Sequence, residues 1–394
     1  MKGSDIVIAG SGVISSIGSG MQSFSESLFS SKKKYRSHKL ISKNNAFEHQ
    51  IAYVDDSLLI QDINPRQARK LDRFCLLTMQ AFDQAYKASN LSPPLAHEYG
   101  ILIGNSTGGW SFVEHQMDSI CSGDFDSLSP YVATAWFPTA PQGEISIKYD
   151  VAGYSKTFSA GTLSSGYALE HAIYLIKNGY LPGAFVGGGE SPISPLVYNA
   201  YIHNKAFSLN GKYVPYQTQA TGGLLGEGAS ILFIESLANC SERKGTPLAK
   251  ISHCAVGRDL EEAIRECLEE SNKRASDIDA ILLNGKGLPS VDQDELAVLG
   301  HIFSESPNLY LGVSKPLYGN TIGADFAFQC LVVLLMLEQQ KVPAGLEEVD
   351  KCFSKICPGS LVLGKALRTR LRTILTYSID LATGISVAAI FDKV

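Results

Sequence analysis

Apolar and polar positions along the chain fall into two alternating patterns. Short apolar runs at 5–8, 101–104, 183–187, 229–235, 280–283, 309–312, 360–363, 372–378 and 385–391 predict buried strands. Between them, apolar residues recur at helical spacing and predict helices over 66–89, 165–177, 260–269 and 325–339. Strands alternating with helices argue for a layered α/β architecture. Gly10, Gly12 and Gly18 interrupt the first run and predict a turn after a short strand. The longest apolar stretch runs from Phe326 to Leu337. It falls short of the roughly 20 residues that cross a bilayer and reads as the central buried helix of a large core.

A repeat lies under this pattern. A helix, Lys87-Ala88-Ser89, a strand and Gly104-Asn105-Ser106-Thr107-Gly108 recur in outline as a helix, Arg274-Ala275-Ser276, a strand and Asn284-Gly285-Lys286-Gly287. The offset is about 180 residues, near half the chain, which predicts two similar stacked halves divided as 1–240 and 241–394.

Composition narrows the function classes. The 394 residues are 45% hydrophobic and 19% charged, enough for one large domain or two fused halves. A formal net charge of -5 does not point to nucleic acid or an anionic membrane as a partner. The eight cysteines form no CxxC pair and read as reduced thiols, with only Cys352 and Cys357 close enough for a local bridge. The first residues carry one lysine and a short apolar run, too little for a signal peptide, so a cytoplasmic chain is expected; no metal or cofactor is expected either. Lys32-Lys33-Lys34 reads as a solvated loop or, alternatively, a docking surface for an acidic protein.

The motifs carry more. They are Ile6-Val7-Ile8-Ala9-Gly10-Ser11-Gly12, Gly104-Asn105-Ser106-Thr107-Gly108-Gly109, Gly187-Gly188-Gly189-Glu190, Gly226-Glu227-Gly228-Ala229 and Ser314-Lys315, in that order. Together they resemble a β-ketoacyl synthase of the thiolase superfamily over essentially the whole length. The resemblance implies two βαβαβαββ halves in a five-layer αβαβα stack, dimerising through strands beside the nucleophile loop.

The same comparison implies a loss of chemistry. Phe158-Ser159-Ala160-Gly161-Thr162-Leu163-Ser164-Ser165-Gly166 looks like the nucleophile loop, with Thr162 where the family has cysteine. A thiolate is a strong nucleophile, whereas a threonine hydroxyl stays protonated unless a base activates it. The family's two histidines, which stabilise enolate and oxyanion, are matched by Lys286 and Asn320. The acids and arginine of a further family segment are gone from Pro215-Tyr216-Gln217 and Ala220-Thr221-Gly222, and the C-terminal gate reads Leu381-Ala382-Thr383-Gly384. Lys315 remains, read as an internal ion-pair partner of a carboxylate such as Glu295. Thr162 reads as a residue that helps start the following helix or, alternatively, as a nucleophile with Lys286 as base.

A fold kept without its catalytic positions resembles the chain-length factor, the β subunit of type II ketosynthases. The resemblance implies a non-catalytic subunit that pairs with an active β-ketoacyl synthase, meets acyl carrier protein and walls the acyl tunnel in fatty-acid or polyketide-type elongation. The best-known chain-length factors carry glutamine in the cysteine slot, and this chain does not, which turns the expectation toward pathways such as aryl polyene assembly. Trp110, Val113, Met117, Trp136 and Phe137 are the tunnel or interface candidates, with plain dimer packing as their alternative. Two other readings stay open: an atypical ketosynthase or acyltransferase using Thr162, and a homodimeric protein that binds acyl chains or acyl carrier protein.

Overall fold

The computed structural model describes residues 5–42, 45–59, 63–203, 206–208, 211–306 and 308–394. Its first half runs β1 (Ile6–Ser15), α1 (Arg73–Ser89), β2 (Gly100–Gly104), α2 (Ala140–Tyr149), β3 (Ser155–Phe158), α3 (Ser164–Lys177), β4 (Gly183–Glu190) and β5 (Gly228–Ser236). The second half repeats the order: β6 (Ala249–Gly257), α4 (Leu260–Glu270), β7 (Ala280–Leu282), α5 (Pro289–Ile302), β8 (Tyr310–Gly312), α6 (Asp325–Gln339), β9 (Thr373–Ile379) and β10 (Ser386–Asp392). Shorter helices and hairpins fill the connections.

Strand pairing repeats as well. The first half is ordered β3-β2-β4-β5-β1, with β2 parallel to β3 and β4, and β5 antiparallel to β4 and β1. The second is ordered β8-β7-β9-β10-β6 with the same directions. The halves meet where Ile6, Val7 and Ile8 pair antiparallel with Ile251, Lys250 and Ala249, making one continuous 12-stranded sheet.

Three cores separate five layers. Between the half-sheets, α3 and α6 pack with Ile6, Leu232, Ile374 and Val387. Outside the first half, α1 packs Phe74, Leu77 and Phe82 against Ile101, Phe185 and Phe233. Outside the second, Ile264 and Leu268 of α4 and Leu296 and Leu299 of α5 pack against Ile281, Leu375 and Ile390. Every residue of α6 from Asp325 to Leu337 is buried, so the apolar stretch is a core helix flanked by protein on all sides. Each large apolar side chain so buried contributes about 1.5–3 kcal/mol.

Close approach explains two departures from the sequence pattern. The first strand does not stop at its glycines but continues to Ser15, with a register shift between Ile8 and Gly10. A Cβ on Gly12 would lie 2.0 Å from the Ala81 carbonyl oxygen, so this glycine lets α1 lie on the strand. Gly104 does the same for α3, where a Cβ would meet the Ser165 nitrogen at 2.2 Å. The helix expected over 66–89 is two pieces, Pro65–Ala68 and α1, because Asp72 caps α1 by accepting from Phe74 N at 3.0 Å. The strand expected over 360–363 shortens to Ser360–Leu361. All eight cysteines are free, Cys352 and Cys357 included. Lys32 and Lys33 are exposed.

Candidate functional site

Three loop systems converge at the ends of the strands. The first follows β3. Gly161 turns in the left-handed region at φ 57°, a short 3₁₀ turn covers Gly161–Leu163, and α3 begins at Ser164. Ser164 closes this turn: its Oγ accepts from Ala160 N at 2.9 Å and donates to Gly161 O at 2.7 Å. Thr162 therefore does not start the helix. Its Oγ1 donates instead to the Ile379 carbonyl at 3.2 Å, across to the second half. Ser165 Oγ crosses the same boundary, accepting from Ala327 N at 3.1 Å.

The second system follows β7. Gly285 (φ 53°) and Gly287 (φ 74°) flank Lys286 and fold the chain tightly around it. Carboxylates of α5 hold this loop from below. Glu295 accepts from Asn284 N at 2.7 Å and Gly285 N at 3.2 Å, and Asp292 accepts from Gly287 N at 3.1 Å. Tyr377 and Tyr216 donate their hydroxyls to Glu295 at 2.7 and 2.9 Å. Glu295 is thus filled, and Lys315 does not pair with it. Lys315 pairs with Asp325 at 2.6 Å, because the Ser314–Lys315 turn faces the first residue of α6 rather than α5. Burial, reinforced by Glu295, pushes the Asp292 carboxyl up to about 7.

The third system runs from Gly319 to Ala324. Asn320 N donates to Leu224 O at 2.8 Å and Gly226 N donates to Asn320 O at 2.9 Å, which docks this segment on the Gly-Glu-Gly-Ala hairpin. Asn320 Oδ1 accepts from Ile322 N at 2.9 Å. Ile322 sits at φ 46°, a rare conformation for a β-branched residue. The next residue is pinned by Glu190, whose Oε2 accepts from Gly323 N at 3.1 Å and from Ser106 N at 2.7 Å. Glu190 also accepts from Thr107 N at 3.1 Å and Asn105 Nδ2 at 3.0 Å. It therefore ties the glycine turn after β2 to the Ile322 segment. Burial pushes its carboxyl up to about 7 against the pull of these donors.

The result is one pocket of about 560 Å³. It is lined by Gly161, Thr162, Tyr201, Ala206, Phe207, Lys286, Leu288, Val291, Asn320, Ile322, Asp380, Leu381 and Ala382. Thr162, Lys286 and Asn320 are brought together from both halves of the chain. No histidine or cysteine is among the described lining residues. Lys286 is 3% exposed, and its Nζ has no partner among the described residues. Burial, helped by the positive charge of Lys315, lowers its pKa to about 8. Asn320 is not a proton acceptor, and Thr162 spends its proton on a carbonyl, so the arrangement lacks a base aligned on a nucleophile.

Asp380, Tyr201 and Phe207 were not singled out by the sequence. Asp380 closes the turn between β9 and β10: its Oδ1 accepts from Ala382 N, Thr383 N and Thr383 Oγ1 at 3.1, 3.0 and 2.9 Å. The Asp-x-x-Thr spacing of Asp380 and Thr383, which overlaps Leu381-Ala382-Thr383-Gly384, is the signal that marks it.

The tunnel candidates lie elsewhere, in the excursion between β2 and α2, and none of the five lines this pocket. Val113 is buried, and Trp110 and Met117 are half-buried. Trp136 is 41% exposed and Phe137 52%. Trp110 and Trp136 meet edge to face with centroids 6.0 Å apart. Asp72 holds this excursion to α1 by accepting from Phe112 N at 2.6 Å.

Comparison with known proteins gives concordant matches. The family profile described as Beta-ketoacyl synthase, N-terminal domain matches residues 3–239, and the one described as Beta-ketoacyl synthase, C-terminal domain matches residues 248–347. The Actinorhodin polyketide putative beta-ketoacyl synthase 2 of Streptomyces coelicolor is 26% identical, over 82% of each chain. The solved ishigamide ketosynthase/chain length factor superposes with a TM-score of 0.87 at 20% identity, covering 99% of each chain. A structure titled AntDE:AntF, a type II polyketide synthase acyl-carrier protein in complex with its ketosynthase, superposes with a TM-score of 0.87 at 19% identity, covering 100% of each chain. At these identities the structural likeness speaks for the fold.

Proposed function

Since the chain belongs to the β-ketoacyl synthase family, we propose that it is the chain-length-factor-like member of a ketosynthase pair, without condensing chemistry of its own. The observation that carries this reading is the pocket in which Thr162, Lys286 and Asn320 converge with no thiol and no imidazole among its described residues. Decarboxylative condensation needs a nucleophile to hold the acyl chain and donors for the developing oxyanion. A threonine bonded to a carbonyl, an unpartnered lysine and an amide fill those positions here.

The partner of this reading is an active β-ketoacyl synthase whose cysteine carries the growing chain, delivered by acyl carrier protein in the cytoplasm. The resemblance to a ketosynthase/chain length factor and to a ketosynthase seen with its acyl-carrier protein supports it. Among the described residues strand β3 is the last of the sheet, and its outer edge beside the Thr162 loop is a place for a second subunit to add hydrogen bonds. Residues 1–240 carry that edge and the aromatic excursion, and 241–394 form the second half. Trp110, Val113, Met117, Trp136 and Phe137 wall the partner's acyl tunnel, and their bulk sets where extension stops. Aryl polyene assembly is the pathway type this reading favours.

The test is to purify the chain alone and with a candidate ketosynthase, then assay condensation of acyl and malonyl carrier proteins. Activity is expected only in the mixture, lost when the partner's cysteine is changed and retained in Thr162→Ala. Condensation by this chain alone, abolished by Thr162→Ala, overturns the reading.

A further inference from the structure

Lys286 poses a problem of charge. Its ammonium is buried and unpartnered, and an unpaired buried charge costs several kcal/mol. No carboxylate oxygen of the described residues hydrogen-bonds to it, and the oxygens nearby are largely committed elsewhere. Asp325 Oδ2 takes Lys315 at 2.6 Å and Ser378 Oγ at 3.0 Å. Glu295 holds two tyrosine hydroxyls and the backbone of Asn284 and Gly285. Asp380 Oδ1 is spent on its own turn.

The pocket supplies a second donor and an apolar body. Asn320 Oδ1 is committed to Ile322 N, and its amide NH₂ is not engaged by any described residue. Phe207, Leu288, Ile322 and Leu381 make much of the remaining wall. A cavity of about 560 Å³ lies within the size range of small-molecule sites, which combine apolar walls with a few placed polar groups.

One unpartnered cation in a largely apolar chamber, with the Asp380 carboxylate also on its wall, favours a single negative charge over a double one. A phosphate brings nearly two charges and three strong acceptor oxygens, and the next cation, Lys315, is already paired with Asp325. A carboxylate brings one charge and two oxygens, which matches one ammonium and one amide. We propose that this pocket is a non-covalent receptor for a free monocarboxylic acid with an apolar tail, its carboxylate on Lys286 Nζ and its tail against Phe207, Leu288 and Leu381. The proposal stands whether or not the chain pairs with a ketosynthase. Failure of the condensation assay leaves it untouched, and its own failure leaves the pairing untouched.

The test is calorimetric titration of the full chain at pH 7 with hexanoate, hexanol and malonate. Hexanoate is expected to bind at least tenfold tighter than hexanol, which keeps the tail and loses the charge, and tighter than malonate, which carries two charges at pH 7 and no tail. In Lys286→Met the affinity for hexanoate should fall at least tenfold while hexanol is unaffected or improved. The hexanoate–hexanol comparison needs no variant, so it holds even if the substitution disturbs folding. Three results overturn the proposal. The first is no hexanoate binding, or equal binding of hexanoate and hexanol. The second is unchanged affinity in Lys286→Met, which would leave Lys286 coupled through solvent to an orphaned atom such as Asp325 Oδ1. The third is tighter binding of malonate, which would remove the apolar tail.

Discussion

Lys315 Nζ lies 2.6 Å from Asp325 Oδ2, and neither side chain reaches solvent. The pair joins the turn after β8 to the first residue of α6, so it fixes how the central helix enters the core. Ser378 Oγ on β9 donates to the same oxygen at 3.0 Å. Removing one partner leaves an uncompensated buried charge, which costs about 3–5 kcal/mol. Lys315→Met and Asp325→Asn should each lower stability by about that much, read from the denaturant midpoint. Lys315→Met combined with Asp325→Leu should cost less than the sum of its parts, since neither charge is then stranded. Additive losses would show that the two side chains act separately.

Lys286 makes stability depend on alkaline pH. Its pKa is lowered from 10.5 to about 8 by burial and by Lys315, against the opposing influence of Asp325, Glu295 and Asp380. A group whose folded pKa is depressed contributes stability above its unfolded pKa and loses it as pH falls through the folded value. The buried, unpartnered ammonium therefore penalises the wild type below about pH 8, and the penalty fades as pH rises toward 10.5. Its size is on the order of 3 kcal/mol at one pKa unit per 1.36 kcal/mol. Lys286→Met should be the more stable protein at pH 7, and its advantage should shrink by pH 10 in paired denaturation curves. A difference constant with pH would mean that the amine is solvated or paired.

How much was legible depended on whether a residue's role was local. The strands at 101–104, 183–187 and 229–235 lie buried in the sheet and read as apolar runs. Strand β6 escaped notice because Lys250, Ser252 and His253 break the run, and partly exposed positions are mixed among its buried ones. Helix α5 escaped because its inward face carries Asp292 and Glu295, acids that a hydrophobic pattern counts as outward. Those acids are buried because the Lys286 loop supplies backbone donors, a tertiary relation invisible in sequence. The convergence of Thr162, Lys286 and Asn320 followed from motif order. The partner of Lys315 did not, since Asp325 and Glu295 are both acids at plausible distance along the chain and only packing chooses between them.

Thr162 gives a chemical prediction. Its hydroxyl donates to the Ile379 carbonyl at 3.2 Å, a bond worth about 1 kcal/mol net, so Thr162→Ala should fold with a stability loss of that order. Thr162→Cys supplies a thiol yet finds no imidazole among the described pocket residues. It should show no condensation alone when assayed with acyl and malonyl carrier proteins. Turnover by Thr162→Cys would mean that Lys286 and Asn320 suffice as donors and would reopen the question of an unusual enzyme.

Trp110 and Trp136 separate two roles for the aromatic excursion. Trp110 is half-buried and leads the helix Trp110–Glu114, whereas Trp136 is 41% exposed and meets it edge to face at 6.0 Å. If Trp110 ends the partner's tunnel, Trp110→Ala opens space there and the assembled pair should make longer products. A methylene is worth only about 1 kcal/mol in an apolar pocket, while a clash with a bulky wall costs about 1–3 kcal/mol, so the wall sets the limit. Trp136→Ala removes exposed aromatic area and should weaken association by about 2 kcal/mol if it anchors the interface, measured by titrating one subunit into the other. Product length and subunit affinity are independent readouts. A Trp110→Ala pair that assembles normally and keeps its product profile removes Trp110 from the tunnel. A Trp136→Ala chain with unchanged affinity places the partner on another face.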